Sequence, residues 1–335
     1  MNSTGGTTGE PLQYYADWEA WSADWACIYR GWGFAGYQPG DKIATLAGSS
    51  LIPDKSNNIV QRIRLRLERN LPLSVVVLSR EIAWDYVEQL NSYRPVCIRG
   101  YPTALYVFAY HIRAMNLKMP KLKAIFTTAE VLQPQHRALI EEVFQCPVFD
   151  GYGARDGGVS AYECDHHEGM HLSLERGVVE LLDDAGYPTN KGRLVITDLY
   201  NFSMPFIRYE VGDIGEISNT PCSCGRGLPL LTHIEGRITD ILKFSNGRTL
   251  SGPAVTLIFR KTGFTQYQIV QKDESSLIVR YVPGDHNTNN ADVEETRKII
   301  KHHLGDQVMI SYEQVDDIQL SSADKRRFII SEIEG

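Results

Sequence analysis

The chain has 335 residues, 43% of them hydrophobic, and a formal net charge of -7 at pH 7. This apolar content can bury the core of a large domain plus a smaller one, which excludes a disordered chain. Acidic and basic residues are interspersed, which argues against a non-specific binder of nucleic acids or anionic membranes. The sequence contains no apolar run of about 18 residues and no signal-peptide pattern. We therefore expect a soluble, cytoplasmic protein without a membrane span.

The N-terminal segment is rich in glycine and hydroxyl residues, namely Ser3, Thr4, Gly5, Gly6, Thr7, Thr8 and Gly9. Glycine lets the backbone approach a ligand closely, and hydroxyl and backbone N–H groups can donate to anionic oxygens. The segment lacks the Gly-Lys-Ser/Thr ending of a Walker A loop. Taken alone, it is consistent with either a phosphate-binding loop or a flexible tail.

The first half of the chain alternates between helical and strand patterns. Four aromatic residues recur at helical spacing, which is typical of a stripe packed in a core: Trp18, Trp21, Trp25 and Tyr29. Apolar periodicity predicts further helices at 80–92, 103–117 and 133–144, with Thr103 as a plausible N-cap. Short buried strands are predicted at 97–98, 122–128 and 148–149. This order of strand, helix and strand predicts a parallel sheet with helices on its faces.

The second half has short strands between turns. After Gly157, predicted strands at 178–182, 192–199 and 215–217 indicate a β-barrel or an antiparallel sheet. From Ile234 onward, strands at 266–270, 277–282 and 308–312, a polar hairpin at 284–290 and a helix at 293–304 predict a small α+β domain of about 100 residues. The predicted fold class is therefore α/β, with a parallel sheet and a β-rich subdomain in the large N-terminal domain and a small α+β C-terminal domain.

The cysteines divide into two groups. Three stand singly among apolar residues and are predicted to be buried thiols: Cys27, Cys97 and Cys146. The others form, with one histidine, a set that fits tetrahedral structural zinc: Cys164, His171, Cys222 and Cys224. The alternative is that these thiols are simply free, because Cys-x-Cys spacing is tighter than the usual two-residue gap.

Residues 167–171 also match the H-E-x-x-H pattern of zinc proteases, in which Glu168 would be the base. That pattern requires a helix. Gly169 is a poor residue for a helix interior, and residues 172–174 alternate with a period of two. A zinc protease is therefore the weak alternative.

Four further segments follow the glycine-rich one in order: Tyr152-Gly153-Ala154-Arg155-Asp156, Pro205 to Asp213, Gly236-Arg237-Ile238-Thr239-Asp240 and Ala323-Asp324-Lys325-Arg326-Arg327. In this order and spacing the segments resemble the adenylate-forming enzymes, the acyl-CoA synthetase-like superfamily. The resemblance is closest to the branch that contains phenylacetate-CoA ligases and capsular polysaccharide biosynthesis proteins. It extends over almost the whole chain.

The resemblance implies which residues bind ATP. The glycine-rich segment would bind the phosphates, Asp213 would accept hydrogen bonds from both ribose hydroxyls, and Tyr152-Gly153 would lie against the adenine. Ala129-Glu130, which closes a predicted strand, is similar to the family's adenine-contacting segment. Arg237 would reach the nucleotide from the junction between the domains.

The resemblance also implies two catalytic residues. Asp156 stands where the family usually carries glutamate and would help to hold Mg²⁺. Lys325 matches a lysine that contacts the acyl carboxylate and the α-phosphate as the mixed anhydride forms. The chain departs from the family at Glu10, where many relatives have lysine, and at Asp324, where the family has glycine.

The function implied by the resemblance is ATP-dependent activation of a small carboxylic acid, followed by transfer to coenzyme A or to an amine-bearing sugar acceptor. The implied domains are an adenylate-forming core over 1–235 and a mobile C-terminal domain over 236–335, and a homodimer is a possible assembly. Relatives carry on the order of a hundred residues before the glycine-rich segment. We therefore expect a fragment, a translation start upstream of Met1 or a shortened N-terminal domain. The alternative function is a catalytically inactive nucleotide-binding or scaffold protein in a polysaccharide pathway.

Overall fold

The structure is a computed structural model that describes residues 2–3, 13–47, 63, 65–75, 78–154, 157–235, 242–250, 255, 258–259, 262–283, 290–316, 318 and 329–333. The helices with described bounds are α1 (Trp18–Gly33), α2 (Arg80–Tyr93), α3 (Pro102–Ala114), α4 (Pro134–Phe144) and α5 (Asn290–Leu304). None of the described helices is both long and apolar enough to cross a membrane.

A short N-terminal pair of strands precedes a parallel sheet with the strand order β4-β3-β5-β6-β7. These strands are β1 (Asn2–Ser3), β2 (Gln13–Tyr14), β3 (Ile43–Ala47), β4 (Asn70–Ser74), β5 (Cys97–Gly100), β6 (Ala124–Thr127) and β7 (Val148–Phe149). Helices α2, α3 and α4 connect β4 to β5, β5 to β6 and β6 to β7, and their apolar residues form one core with the sheet. The predicted parallel sheet with helices on its faces is confirmed.

Helix α1 covers the other face of the parallel sheet. The Asp17 carboxylate caps it by accepting a hydrogen bond from the Ala20 N–H at 2.9 Å. The aromatic stripe is only partly in the core, because Trp18 is 73% exposed and stacks on Trp21. The buried side of α1 instead runs through Ala20, Cys27, Ile28, Gly31 and Trp32. The prediction that the stripe is core is therefore wrong at Trp18, since the buried side of the helix lies elsewhere.

Helix α3 begins one residue earlier than expected. Pro102 is its first residue and Tyr101 is its N-cap, so the prediction of Thr103 as the cap is wrong. Proline is favoured in the first turn because its missing N–H would be unpaired there anyway. The donors of Thr103 bind Glu130 instead.

A second sheet is antiparallel throughout and has the strand order β11-β12-β13-β14-β10-β9-β8. Its strands are β8 (Gly151–Ala154), β9 (Val159–Glu163), β10 (Met170–Leu172), β11 (Gly177–Leu182), β12 (Lys191–Asp198), β13 (Tyr209–Ile217) and β14 (Leu230–Glu235). A Cβ on Gly157, in the β8–β9 turn, would lie 3.3 Å from Val211 of β13. A Cβ on Gly177 of β11 would lie 2.9 Å from the Gly158 carbonyl oxygen. Both ends of the sheet therefore curl towards each other, which agrees with the predicted barrel or antiparallel sheet.

The C-terminal residues form a two-stranded pair and a four-stranded sheet of order β19-β18-β17-β20. The strands are β15 (Leu242–Lys243), β16 (Thr249–Leu250), β17 (Phe264–Asp273), β18 (Ser276–Pro283), β19 (Met309–Gln314) and β20 (Ile329–Ser331). Leu277 and Val279 of β18 are buried in one apolar cluster with Ile300 of α5. The predicted hairpin at 284–290 is wrong at Asn290, because that residue begins a helix; residues 284–289 lie outside the described residues. The predicted α+β class of this part is confirmed.

Candidate functional site

The candidate nucleotide site centres on a hydrogen bond between two residues that are 61 positions apart in the sequence. The Tyr152 hydroxyl donates to Oδ2 of Asp213 at 2.8 Å. Both residues are only half-buried, so the carboxylate is not sealed from solvent. The side chains predicted to contact adenine and ribose therefore lie side by side.

An irregularity in β13 presents Asp213. The paired positions around it are Arg193 with Ile214 and Val195 with Glu210. Three residues of β13 therefore lie opposite the single residue Leu194 of β12. Gly212 within this β-bulge has a φ of 82°, a backbone conformation that glycine adopts without strain. A Gly-Asp sequence commonly forms a turn, but pairing on both sides keeps Gly212 and Asp213 in the strand.

Tyr152 lies on β8, which is an edge strand of the antiparallel sheet. Three strands, β14, β10 and β9, separate β8 from β13 in the strand order. Neighbouring strands lie about 4.8 Å apart, so a flat sheet would hold β8 and β13 on the order of 19 Å apart. The contact with Asp213 therefore depends on the curl of the sheet.

Glu130 follows β6 and binds the first turn of α3. The backbone N–H and the Oγ1 hydroxyl of Thr103 both donate to Glu130 Oε2, at 3.1 and 2.6 Å. The Oε1 atom is shielded from solvent and has no hydrogen-bond partner among the residues that the structure describes. Burial raises the pKa of the Glu130 carboxyl to about 7, although the hydrogen bonds from Thr103 lower it. The preceding Ala129 is exposed and has a φ of 71°. Both residues thus lie at the carboxyl end of the parallel sheet, where α/β folds bind ligands.

A group of polar residues that the sequence did not single out surrounds Asp150, which directly precedes β8. The Thr127 hydroxyl donates to the Asp150 carboxylate at 2.5 Å. Burial raises the pKa of this carboxyl to about 6. The Asp150 N–H donates to Glu163 at 2.9 Å, and Arg137 binds the same Glu163 carboxylate through two hydrogen bonds of 2.7 and 2.8 Å. No spacing pattern marks these residues, because carboxylates and guanidinium groups are common on protein surfaces.

Most of the predicted phosphate and catalytic residues lie outside the described residues: Thr4, Gly5, Gly6, Thr7, Thr8, Gly9, Asp156, Arg237 and Lys325. Ser3 is described as part of β1, opposite Gln13 of β2. Gly153 follows Tyr152 on β8 and is exposed. The roles of these residues remain predictions.

A second candidate site joins Cys164, His171, Cys222 and Cys224, whose ligand atoms all lie within 4.8 Å of one another. The Sγ atoms of Cys164 and Cys222 are 3.7 Å apart, and Cys224 Sγ lies 3.5 Å from His171 Nε2. Tetrahedral zinc, with Zn–S of about 2.3 Å and Zn–N of about 2.0 Å, requires about 3.8 Å between sulfurs and about 3.6 Å between sulfur and nitrogen. These two distances therefore match a closed tetrahedral zinc site, and all four ligand atoms lie within 4.8 Å of one another.

The protonation of these side chains favours a metal at His171 and Cys224 but opposes it at Cys222. Burial lowers the pKa of His171, and the Leu228 backbone partly offsets this, so the imidazole is neutral near pH 7. Burial raises the pKa of Cys222 to about 12. Burial opposes ionisation of Cys224 as well, but hydrogen bonds from Arg226 outweigh it and lower the pKa of this thiol to about 7. Binding of a cation would displace the remaining thiol protons.

The H-E-x-x-H segment is not a helix. His167 has a φ of 51° and Gly169 a φ of 146°, and His171 lies on β10, paired with β14. Glu168 accepts a hydrogen bond from the Ser223 N–H at 3.0 Å. The two histidines therefore do not share one face of a helix. This agrees with the sequence context, which argues against a helix here.

Comparison with known proteins identifies relatives of the whole chain and of its C-terminal part. Residues 242–332 match the family described as the CapK C-terminal domain. Protein CapK of Staphylococcus aureus is 26% identical in a match that covers 98% of this chain and 74% of that protein. A phenylacetate-coenzyme A ligase of Thermus thermophilus is 27% identical over 218 residues, which are 62% of this chain and 49% of that ligase.

Solved structures share the fold. A 2-hydroxyisobutyryl-CoA ligase in complex with 2-HIB-AMP and CoA matches with a TM-score of 0.60 and 21% identity, covering 98% of this chain and 73% of that one. The amide bond synthetase McbA of Marinactinospora thermotolerans matches with a TM-score of 0.53 and 18% identity, covering 97% and 66%. The chain is therefore homologous to CapK and to phenylacetate-coenzyme A ligase, and it has the fold of the adenylate-forming ligases.

Proposed function

We propose that the chain is an adenylate-forming ligase that activates a carboxylic acid with ATP. The observation that supports this most directly is the 2.8 Å hydrogen bond between Tyr152 and Asp213, because it joins the residues expected at adenine and ribose. A carboxylate can accept about four hydrogen bonds, so Asp213 could bind the ribose hydroxyls without losing Tyr152. The Tyr152 ring would lie against the adenine.

The groups around the triphosphate are proposed from the sequence. Segment 3–9 would donate N–H and hydroxyl groups to the phosphates, and Arg237 would approach the nucleotide from the start of the C-terminal domain. Asp156, a hard oxygen ligand, would help to hold Mg²⁺, which neutralises phosphate charge when it is bound.

In the first half-reaction, a carboxylate oxygen of the acid attacks the α-phosphorus of ATP. The new oxygen–phosphorus bond forms as the bond from the α-phosphorus to the oxygen bridging the β-phosphate breaks, which releases pyrophosphate. Negative charge accumulates around the α-phosphate, and the Lys325 ammonium would stabilise it. The product is an acyl-adenylate.

In the second half-reaction, residues 236–335 would rotate near Thr239-Asp240 and open the acyl carbon to a nucleophile. The nucleophile attacks this carbon, loses its proton, and displaces AMP with the electrons of the carbon–oxygen bond. A coenzyme A thiol and an amine are both competent, and the relatives include named CoA ligases and a named amide bond synthetase. The resemblance to capsular polysaccharide biosynthesis proteins makes an amine on a sugar nucleotide the second candidate acceptor.

We also propose that Cys164, His171, Cys222 and Cys224 hold a structural zinc ion. The agreement between their spacing and tetrahedral geometry supports this assignment. Because all four positions would be filled by protein, the site would have no open position for a substrate. When bound, the ion would stabilise the folded structure.

The central test measures pyrophosphate release with ATP, Mg²⁺ and a panel of aryl and aliphatic acids. We expect acid-dependent release by the wild type and a loss of about 100-fold or more in Lys325→Ala. Lys298→Ala is the matched control, because Lys298 is an exposed lysine of α5 and its loss should leave release unchanged. ATP binding without release with any acid would contradict ligase activity and favour a nucleotide-binding scaffold.

Two further measurements separate the acceptors and test the metal. Coenzyme A and amines are added to the active acid in turn, and the product that accompanies AMP identifies the acceptor. Elemental analysis should find about one zinc ion per chain in the wild type and in Cys146→Ser, and much less in Cys222→Ser. Cys146 is a suitable control because it is a buried thiol outside the cluster.

A further inference from the structure

The candidate metal site and the candidate nucleotide site are built on the same strands. The β8–β9 hairpin carries Tyr152 on β8 and leads directly into Cys164 after β9. Strand β13 carries Asp213 and leads into residues 222–224, which precede β14. His171 lies on β10, between β9 and β14 in the strand order. The four ligands therefore connect the hairpin that holds Tyr152 with the hairpin that holds Asp213.

We propose that a metal ion on this cluster cross-links the two hairpins, positions Tyr152 against Asp213, and so raises the affinity of the chain for ATP. This inference rests on the proposed function of the nucleotide site. It adds an explanation of how Tyr152 and Asp213 are kept in contact. Backbone pairing joins only neighbouring strands, whereas Tyr152 and Asp213 meet across the curl of the sheet. A cross-link between the end of β9 and the β13–β14 connection would limit how far the sheet can open.

Polar contacts couple the position of Cys164 to that of Tyr152. Glu163, the residue before Cys164, is buried and accepts a hydrogen bond from the Asp150 N–H at 2.9 Å. Arg137 of α4 holds the same carboxylate through two hydrogen bonds of 2.7 and 2.8 Å. Asp150 lies two residues before Tyr152, so a displacement at Cys164 would be passed to β8.

The polar contacts between the two metal-binding loops, residues 164–169 and 222–226, are more exposed than those of Glu163. The Ser223 N–H donates to Glu168 at 3.0 Å, and the Ser223 hydroxyl also donates to Glu168 and lies 2.6 Å from His166 Nδ1. Arg226 lies 3.4 Å from Asp165, and all of these groups are on the exposed side of the loops. Exposed ion pairs contribute little because water and salt screen them. A metal ion bound by the buried ligands would therefore add a link that these exposed contacts do not supply.

The test compares ATP binding by calorimetry in zinc-loaded protein and in protein stripped with a chelator under reducing conditions. We expect stripped protein to bind ATP about 5- to 150-fold more weakly. Because coupling between two binding sites is reciprocal, saturating ATP should raise zinc affinity by the same factor, as measured by competition with a chromophoric chelator.

Equal ATP affinity in both forms, or no zinc binding, would overturn this inference and leave the proposed ligase activity intact. Failure of the loaded protein to bind ATP would overturn both.

Hydrogen–deuterium exchange distinguishes a local cross-link from general stabilisation. Stripped protein should exchange faster over residues 150–154 and 209–217, while residues 80–93 of α2 should exchange at an unchanged rate. Faster exchange in all three segments would mean that the metal stabilises the whole fold, and would overturn the inference.

A variant outside the ligand set tests the polar connection itself. Glu163→Gln keeps all four metal ligands but loses the charge that pairs with Arg137, so it should retain zinc and bind ATP about 5-fold more weakly. Glu180→Gln makes the same change on β11, where Glu180 meets the exposed Arg208 at 3.1 Å, and should leave both affinities unchanged. Wild-type ATP affinity in Glu163→Gln would exclude this positioning role and overturn the inference.

Discussion

The parallel sheet over residues 43–149 and the antiparallel sheet over residues 151–235 are stabilised in different ways. Every residue of β3 and of β6 is buried, because helices cover both faces of the parallel sheet. Of the nine residues of β13 in the antiparallel sheet, only Val211 and Gly215 are buried. The antiparallel sheet has its own apolar cluster, which includes Leu172, Leu194 and Ile196, and it adds close glycine contacts and the buried pair of Arg176 with Asp198. The Tyr152–Asp213 contact and the metal cluster both lie on this second sheet, so their geometry depends on how that sheet is held together.

The largest effect on stability is expected at Arg176, which connects the antiparallel sheet to α1. Its side chain is 1% exposed, and it binds Asp198 through two hydrogen bonds and Asp24 of α1 at 2.7 Å. Arg176→Ala would leave two carboxylates without their buried cation. It should lower the free energy of unfolding by about 3–5 kcal/mol, as measured by denaturant unfolding.

Arg193→Ala is the control for Arg176→Ala within the same sheet. Arg193 pairs with Glu210, and the two side chains are 34% and 46% exposed. Because water screens an exposed pair, the loss should be about 0–1 kcal/mol. Equal losses in the two variants would show that buried charge does not hold this sheet to α1.

A smaller loss is expected where α1 meets the antiparallel sheet at Gly31. A Cβ at this position would lie 2.2 Å from the ring of Tyr162. The same ring also packs against Gly151, where an added Cβ would lie 2.9 Å from it. Gly31→Ala should therefore lower the free energy of unfolding by about 1–3 kcal/mol. Gly33→Ala, in the same helix with nothing within 4 Å of the added carbon, should be neutral or raise it by up to about 1 kcal/mol. Thermal and denaturant unfolding of the two variants check the difference, and equal stabilities would contradict the close packing.

Sequence patterns predict the parallel sheet more accurately than the antiparallel one. The helix expected at 80–92 is observed at Arg80–Tyr93, because apolar periodicity is a local property. A strand is expected at 215–217 but observed at Tyr209–Ile217. Gly212 and the residue after it favour a turn locally, and pairing with distant strands overrides this preference. Such pairing cannot be seen in a local pattern.

The same distinction applies to the candidate sites. The four residues of the metal cluster can be chosen from the sequence because cysteine and histidine are uncommon and their spacing narrows the choice. That they bind zinc remains a prediction. Glu163 and Arg137 could not be chosen, because their contact joins the end of β9 to a helix 26 residues away and neither residue type is distinctive.

A pH-dependent effect is expected at Glu130, beside the carboxyl end of the parallel sheet. Its pKa is raised from 4.5 to about 7, so the folded state binds this proton more tightly than the unfolded state does. This group therefore destabilises the fold above pH 7, and the penalty disappears as pH falls from about 7 towards 4.5. A pKa difference of one corresponds to about 1.4 kcal/mol, so the rise from 4.5 to about 7 corresponds to a change on the order of 3 kcal/mol.

Glu130→Gln removes this titratable group. It should therefore remove the contribution of Glu130 to the pH dependence of the free energy of unfolding between pH 5 and pH 8. Denaturant unfolding at several pH values, with the variant subtracted from the wild type, isolates the contribution of Glu130. Glu142→Gln is the control, because Glu142 on α4 is 59% exposed and should leave the profile unchanged. A wild-type profile that rises with pH relative to Glu130→Gln would contradict the sign.

The smallest effect is expected at Tyr152, and it concerns the nucleotide rather than the fold. Tyr152→Phe removes the hydroxyl that donates to Asp213 at 2.8 Å and keeps the ring. A hydrogen bond of this kind contributes about 0.5–1.5 kcal/mol, so calorimetry should find ATP binding weakened by about 2- to 10-fold with little change in unfolding. Tyr187→Phe removes a hydroxyl from a tyrosine that is 69% exposed and should change neither. Tyr152→Ala should weaken ATP binding further, because it also removes the ring; equal affinities in the two Tyr152 variants would mean that the ring does not contact the adenine.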